Sequence, residues 1–252
     1  AISACEKGYR WESAMQLLRD MQRRRVAPNV ITYNTLISAC EKGAQWQRAL
    51  SLLAELRRAG LLPSVTTCNA ALSACEKAKQ WELALAFLDE MLALKLEADT
   101  ITYNVVVSAC GSSQQWQRAL RQFGKIELVY LVPDVVSYTA AVSACEKGEQ
   151  WQRALGLLAE MRAGLLEPPL ITFNVAISAC SKAGCWAVAL HLMGKVAEAD
   201  LQPSIYTYNS ALSACAAGSQ WQCALALVQE MRRCGPLPDV VSCSALLAAC
   251  GG

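Results

Sequence analysis

The sequence predicts an all-α protein: an α-solenoid, a right-handed superhelix of stacked helix-turn-helix pairs. A 35-residue unit repeats along the 252 residues without insertion or deletion. Apolar residues within each unit recur at helical spacing, and a proline stands near the end of nearly every unit. A fixed period of about 20–50 residues is typical of stacked-repeat proteins, in which each unit contacts mainly its neighbours.

The first complete unit is 30–64, VITYNTLISACEKGAQWQRALSLLAELRRAGLLPS. Five further copies follow, at 65–99, 100–134, 135–169, 170–204 and 205–239. Residues 1–29 match the tail of an earlier unit, and 240–252 match the head of a later one. Because the chain opens within a repeat and lacks an initiator Met, we expect it to be a piece of a longer protein.

Each unit predicts two helices. In the first unit, helix A runs from about residue 30 to 42, with Tyr33 and Leu36 on its apolar stripe, and Gly43 is interpreted as the glycine that ends it. Helix B runs from about residue 45 to 59. It begins near Trp46, and Ala49 follows three residues later; the same Trp and Ala recur in every unit. Tryptophans at this spacing predict core packing rather than a cofactor site.

Composition excludes several classes of function. Hydrophobic residues make up 54% of the chain, but no run of 18 apolar residues indicates a membrane span. A net charge of +2 is too small to indicate nucleic-acid binding by itself. The single histidine, His191, has no partner constellation, and no glycine-rich phosphate loop or cluster of carboxylates occurs. The sequence therefore predicts neither an enzyme nor a cofactor.

The thirteen cysteines are also explained by the repeat. Eight recur at one position, at the end of the motif SAC or AAC, as Cys5, Cys40, Cys75, Cys110, Cys145, Cys180, Cys215 and Cys250. Equivalent points in adjacent repeats lie roughly 10 Å apart, which exceeds the Cα separation of about 7 Å that a disulfide allows. We predict small buried hydrophobes. The other five (Cys68, Cys185, Cys223, Cys234, Cys243) form no CxxC pair, and no metal site is predicted.

Two rows of polar residues are not explained by packing. The first is the fifth residue of each unit: Asn34, Asn69, Asn104, Thr139, Asn174, Asn209 and Ser244. The second is the residue that closes each unit: Asn29, Ser64, Asp99, Asp134, Pro169, Ser204 and Asp239. Asn is a mediocre helix former, so its recurrence inside helix A indicates another role. The closing residues are good helix N-caps, and capping alone is an open alternative for the second row.

The motifs ITYNTLISACEKG, VTTCNAALSACEKA and VVSYTAAVSACEKG, with Ala-Leu in helix B and a closing Leu-Pro-Ser or Leu-Pro-Asp, resemble the pentatricopeptide repeat family of the P type. The resemblance covers the whole chain. It implies binding of single-stranded RNA at one base per repeat, read by two or three side chains. In that family the fifth and the closing residue of one unit discriminate the base.

Carried over to this chain, the family pattern predicts one base for each unit. Asn34 with Ser64 and Asn174 with Ser204 favour C. The pairs that close on Asp favour U: Asn69 with Asp99, Asn104 with Asp134, and Asn209 with Asp239. Thr139 favours a purine, but Pro169 offers no polar side chain, so that base is a purine or unread. The predicted site is 5′-C-U-U-(purine or unread)-C-U-3′, and Ser244 predicts a purine after it.

The resemblance assigns two further rows. The second residue of each unit would sandwich the bases: Ile31, Thr66, Ile101, Val136, Ile171, Tyr206 and Val241. Lysines near the end of helix A would face phosphates: Lys7, Lys42, Lys77, Lys147 and Lys182. A solvated helix end, stabilised by the helix dipole, is the alternative for the lysines.

Three wider expectations complete the prediction. A protein–protein scaffold that uses the same face is the alternative to RNA binding, although the recurring Asn favours RNA. The family sometimes carries appended deaminase-like or nuclease-like domains, and none lies within these residues. A location in mitochondria or chloroplasts is implied by the resemblance alone.

Overall fold

The computed structural model describes residues 2–8 and 10–251, and the side chain of Cys234 lies outside the described part. Every regular element in that part is an α-helix. The first helices of successive repeats, here the A helices, are α1 (Ile2–Lys7), α3 (Val30–Lys42), α5 (Val65–Lys77), α7 (Thr100–Ser112), α9 (Val135–Lys147), α11 (Leu170–Lys182), α13 (Ile205–Ala217) and α15 (Val240–Cys250). The B helices are α2 (Trp11–Arg23), α4 (Trp46–Arg58), α6 (Trp81–Ala93), α8 (Trp116–Leu128), α10 (Trp151–Ala163), α12 (Trp186–Glu198) and α14 (Trp221–Cys234).

The helices form two compact units, residues 1–132 and 133–252. Within each unit an A helix packs against its own B helix, against the next A helix and against the preceding B helix. The A helices therefore carry most of the core. In α5, for example, Leu72 and Cys75 are fully buried. The predicted Ala of each B helix is also buried, at 0–1% exposure, which allows close packing of the helices. No described helix combines the length and hydrophobicity that a membrane span requires.

The cysteine prediction is confirmed where neighbouring repeats cover the side chain. Six of the eight repeated cysteines are buried, whereas Cys5 is half-buried and Cys250 is exposed. Burial raises the pKa of the Cys40 thiol to about 11, and of the Cys145 thiol to about 11. These thiols stay protonated at neutral pH and are therefore poor nucleophiles.

The prediction for the tryptophans is wrong in part, because none of the seven is fully buried. Each stands at the start of a B helix; six are half-buried, and Trp221 is 50% exposed. Arg48 lies over the Trp11 ring, 4.1 Å from its centroid. Arg118 lies over Trp81 in the same way, at 4.3 Å. The Trp11 and Trp81 rings are therefore half-buried contacts between successive B helices, with a cation–π component.

The interpretation of Gly43 also requires correction. Its φ is −84°, so it does not adopt the left-handed conformation of a terminating glycine. That conformation belongs to the next residue, Ala44, at φ 54°. A Cβ at Gly43 would lie 2.2 Å from Cδ1 of Trp11, so the glycine lets the indole ring approach more closely than a larger residue would. The helix ends in a Schellman motif, with Gln45 N donating to Cys40 O at 2.8 Å and Ala44 N to Glu41 O at 3.1 Å.

Leu165→Gly should stabilise the protein by about 0.5–1 kcal/mol. Leu165 has φ 58° and is 91% exposed, so the substitution removes left-handed strain of about 1–2 kcal/mol without loss of packing. The added backbone entropy of glycine offsets roughly 0.5–1 kcal/mol of that gain. Urea unfolding measures the change. Leu237→Gly is the matched control, since Leu237 is 80% exposed but has no positive φ; a similar gain there would contradict the explanation.

Candidate nucleic-acid interface

The fifth and the closing residue of a repeat, here its reading pair, contact each other in three repeats. Asn69 Nδ2 donates to Asp99, 3.2 Å from Oδ1. Two further pairs make the same contact: Asn209 with Asp239 Oδ1 at 3.2 Å and Asn34 with Ser64 Oγ at 3.3 Å. Residues 30 positions apart meet because the closing residue opens the next A helix, which packs beside the A helix that carries the Asn.

The closing residues also cap helices. The side chain of each polar member accepts a hydrogen bond from the backbone N–H three residues later: Asn29, Ser64, Asp99, Asp134, Ser204 and Asp239. Pro169 makes no side-chain cap. Capping and contact with the fifth residue are therefore compatible in one side chain. The cap fixes the position of the carboxylate or hydroxyl relative to the neighbouring Asn.

In four repeats a third side chain contacts the fifth residue: the third residue of the following repeat, here the support hydroxyl. Thr102 Oγ1 lies 2.7 Å from Asn69 Oδ1 and 2.7 Å from Asp99 Oδ1. Asn174 Oδ1 accepts from Thr207 at 2.6 Å, and Asn34 Oδ1 accepts from Thr67. Sequence analysis missed this row, although the Thr of ITYN recurs as Thr or Ser in every repeat.

Two positions, Thr139 and Ser244, depart from the common arrangement. Thr139 Oγ1 donates to the carbonyl of Val135 at 2.6 Å and lies 2.8 Å from the Thr172 hydroxyl. Ser244 Oγ donates to the carbonyl of its own helical turn, Val240 O, at 2.7 Å. Asn104 is 6% exposed. It belongs to the first compact unit, whereas Asp134 belongs to the second.

The predicted sandwiching residues form a row of exposed side chains beside the reading pairs. Their exposed fractions range from 53% to 73% for six members: Ile31, Ile101, Val136, Ile171, Tyr206 and Val241. The seventh, Thr66, places its Oγ1 2.7 Å from Ser64 Oγ, which shows that this row adjoins the reading pair. Recurrent exposure of apolar side chains at one place in a repeat is typical of a binding surface.

Three lysines of the row, Lys42, Lys77 and Lys182, are paired with glutamates of the preceding repeat. Lys77 Nζ lies 2.6 Å from Glu41 Oε1, and Lys42 Nζ lies 2.9 Å from Glu6 Oε1. Lys182 makes the same contact with Glu146 at 2.6 Å. The Lys42 ammonium lowers the pKa of the Glu6 carboxyl, although burial opposes this shift. An ammonium has three donors, and one carboxylate oxygen takes one of them.

The same glutamates accept from a serine of the next A helix. Ser38 Oγ donates to Glu6 at 2.8 Å, and Ser73 Oγ donates to Glu41 at 3.0 Å. The sequence holds a signal for this network, because Glu lies 32 residues before Ser and 36 before Lys in the motif SACEK. The third complete repeat, residues 100–134, lacks this lysine and has Ser112 in its place. The ion pairs with these glutamates therefore hold the paired lysine side chains at defined positions along the A helices.

We expect Asp99 to stabilise the fold only while it is ionised. Burial alone would raise the pKa of its carboxyl, but hydrogen bonds from the Thr102 side chain and backbone and from Asn69 bring the pKa below its ordinary value of 3.8. A pKa that is lower in the folded state gives stability that is present above the unfolded pKa and lost as pH falls through the folded pKa. Urea unfolding of wild type and Asp99→Asn should therefore differ by a constant amount above about pH 5 and by less in stronger acid. An Asn caps the same position at Asn29, so the variant keeps the cap. A difference that stays constant into strong acid would contradict this account.

Three models of known repeat families match consecutive segments of this chain. The PPR repeat family matches residues 2–42, 28–75 and 63–112. The pentatricopeptide repeat domain matches residues 129–183 and 191–252, and the PPR repeat matches residues 101–128 and 171–201. Together these matches cover nearly the whole chain. No curated protein matches it.

Solved structures show the same fold. The crystal structure of the maize pentatricopeptide repeat protein PPR10 is 28% identical over 98% of this chain, with a TM-score of 0.73. PPR10 in complex with an 18-nt psaJ RNA element is 21% identical over 99% of this chain, with a TM-score of 0.51. The PPR domain of Arabidopsis thaliana protein-only RNase P 1 in complex with tRNA is 16% identical over 72%, with a TM-score of 0.63.

The chain spans 35% of the first PPR10 structure, 50% of the RNA-bound one and 95% of the RNase P domain. The predicted all-α solenoid of helix-turn-helix pairs is therefore confirmed. With the family models matching along the sequence, the chain belongs to the pentatricopeptide repeat family.

Proposed function

We propose that this chain binds single-stranded RNA and reads one base per repeat through its reading pairs. The observation that carries the proposal is the contact between Asn69 and Asp99, which recurs between Asn209 and Asp239. Two polar side chains 30 residues apart are held together beside an exposed apolar row. Stacking of bases on such a row contributes about 1–3 kcal/mol per base.

Hydrogen-bond accounting supports a pyrimidine at these repeats. The Asn69 amide has two N–H donors and an oxygen with two lone pairs. Asp99 accepts a hydrogen bond from one of the two N–H groups, and the Thr102 hydroxyl donates to one lone pair of the amide oxygen. One N–H and one lone pair remain for a ligand, which suits the mixed donor and acceptor edge of a pyrimidine.

The closing residue then separates U from C. A carboxylate only accepts, so Asp99 and Asp239 favour U, whose N3–H is a donor. The N3 atom of C is an acceptor and would be repelled by a carboxylate. A hydroxyl donates as well, so Ser64 and Ser204 favour C. This chemistry agrees with the site 5′-C-U-U-(purine or unread)-C-U-3′ that the family pattern predicts.

Solved relatives support an RNA ligand. PPR10 has been crystallised with an 18-nt psaJ RNA element and the PPR domain of RNase P 1 with tRNA. The lysine row supplies defined positive charges for the phosphate backbone, whose contacts position a strand without reading it. A role in organellar RNA processing, stabilisation or translation, in mitochondria or chloroplasts, stays a prediction from the family resemblance.

RNA selection with the full 252-residue chain tests the proposal. We expect enrichment of unstructured sequences that contain CUU, one variable position and CU. Circular dichroism, measured on the same sample, verifies that the protein is helical. Failure of a folded sample to enrich any sequence would overturn the proposal and favour the protein–protein scaffold.

A further inference from the structure

We propose that the support hydroxyl, the third residue of each following repeat, orients the base-reading Asn of the repeat before it. This makes Thr67, Thr102, Thr207 and Ser242 positioning residues, one repeat away from the base that each of them affects. The inference rests on the proposed RNA-reading function and adds a third side chain to each reading pair.

The contact recurs wherever the reading residue is Asn and both partners lie in one compact unit. Thr102 Oγ1 is 2.7 Å from Asn69 Oδ1, and Ser242 Oγ is 2.5 Å from Asn209 Oδ1. Thr207 and Thr67 make the same contact with Asn174 and Asn34. All four hydroxyl residues are 0% exposed. Water cannot replace a donor at such a site, so each bond is strong and its loss leaves an oxygen unsatisfied.

The hydroxyl determines which way the amide of the Asn faces. The backbone N–H of Asp99 donates to Thr102 Oγ1. The single hydrogen of the hydroxyl is shared between two acceptor oxygens, Asn69 Oδ1 and Asp99 Oδ1. The amide oxygen of Asn69 is thereby held toward Thr102, and its NH₂ group faces Asp99. A rotated amide would place Oδ1 against the carboxylate, which only accepts.

Orientation depends on this hydroxyl most strongly where the closing residue is Ser. Ser64 Oγ can donate or accept, so it does not by itself choose between the two amide orientations of Asn34. The backbone N–H of Ser64 donates to Thr67 Oγ1 at 3.1 Å. That bond fixes the Thr67 oxygen, whose hydrogen then points to Asn34 Oδ1 and Ser64 Oγ.

In the fourth complete repeat the fifth residue is Thr139 instead of Asn, and its contact with the support hydroxyl has a different consequence. Thr139 donates its hydrogen to the Val135 carbonyl, so in its contact with Thr172 it must accept. One lone pair of the Thr139 oxygen remains. The Val135 carbonyl takes the only hydrogen of Thr139 and the support hydroxyl of Thr172 takes one lone pair, so Thr139 offers a single acceptor position. That suits a base that presents an amino group, such as adenine.

The test measures base preference at a single position of the RNA. We expect Thr102→Val, which keeps the shape but loses the hydroxyl, to reduce the preference for U at the Asn69 position by about 3- to 10-fold. Preferences at the other positions should be unchanged. Thr102→Ser should retain the preference, because Ser137 and Ser242 occupy the same place in other repeats. Thr207→Val should produce a loss at least as large for C at the Asn174 position, because the closing residue there is Ser204.

Thr32→Val is the matched control. Thr32 stands at the same helix position, but among the described residues its hydroxyl contacts only Asn29, at 2.9 Å. Because Thr32 is half-buried rather than fully buried, its substitution should cost no more stability, measured by thermal unfolding, than Thr102→Val. It should leave the base preferences of the repeats from 30 to 239 unchanged. Unchanged base preferences in folded Thr102→Val and Thr207→Val would overturn the inference. A wild-type chain without base preference would instead overturn the proposed function, so the two failures are distinguishable.

Discussion

The double variant Asn69→Thr with Asp99→Asn should change the preferred base at one position of the RNA site from U to A. The acceptor-only carboxylate is replaced by an amide, which donates to N1 of adenine and accepts from its amino group. Each base-specific contact of this kind discriminates by about 1–3 kcal/mol, so we expect a reversal of preference of roughly 10- to 100-fold. Competition binding with RNAs that differ at one base measures it.

The chain provides evidence that both substitutions are tolerated. Thr139 already occupies the fifth position of a repeat, and its hydroxyl bonds to its own helical turn. Asn29 already caps a helix at the closing position. The preference for C at the Asn34 position serves as the internal control and should not change. An unchanged preference for U at the altered repeat would show that the reading pair is wrongly assigned.

The helices were predictable because every repeat restates the same signals. Helix A was predicted at about 30–42 and is Val30–Lys42; helix B was predicted at about 45–59 and is Trp46–Arg58. Apolar spacing and the N-cap residues act within one repeat, so a single copy of the sequence contains them. The reading pair was predicted differently, from the resemblance, since nothing within one repeat links residues 34 and 64.

Contacts between repeats were not predicted, since they depend on how neighbouring helices are offset. The support hydroxyl Thr102 meets Asn69 across 33 residues, and Glu41 meets Lys77 across 36. Both separations differ slightly from the 35-residue period, and only the packed structure defines them. The same holds for the close contact between Gly43 and Trp11 of the preceding repeat, which the backbone conformation of Gly43 does not indicate.

Replacing Lys42, Lys77, Lys147 and Lys182 together by Gln should weaken RNA binding of every sequence about equally. Each phosphate contact on a single strand contributes about −0.7 to the slope of log K against log salt, so the wild-type slope should be roughly −2 to −4. Removal of four contacts should bring that slope close to zero and reduce affinity on the order of 10²–10³-fold at 0.1 M salt. Fluorescence anisotropy over a salt series measures both quantities. Retained base preference is expected, since phosphate contacts position the strand and base contacts specify it.

The glutamates distinguish this role of the lysines from a structural one. Glu41 holds Lys77, so Glu41→Gln removes a negative charge beside the predicted phosphate position and should tighten RNA binding by about 3- to 10-fold. Because both side chains are partly exposed, loss of the ion pair should cost at most about 1 kcal/mol of stability. Glu55→Gln, on a B helix, removes the same charge away from the lysine row and should change affinity much less. If the lysines only stabilise helix ends, Glu41→Gln will lower the unfolding midpoint and leave RNA affinity and its salt slope unchanged.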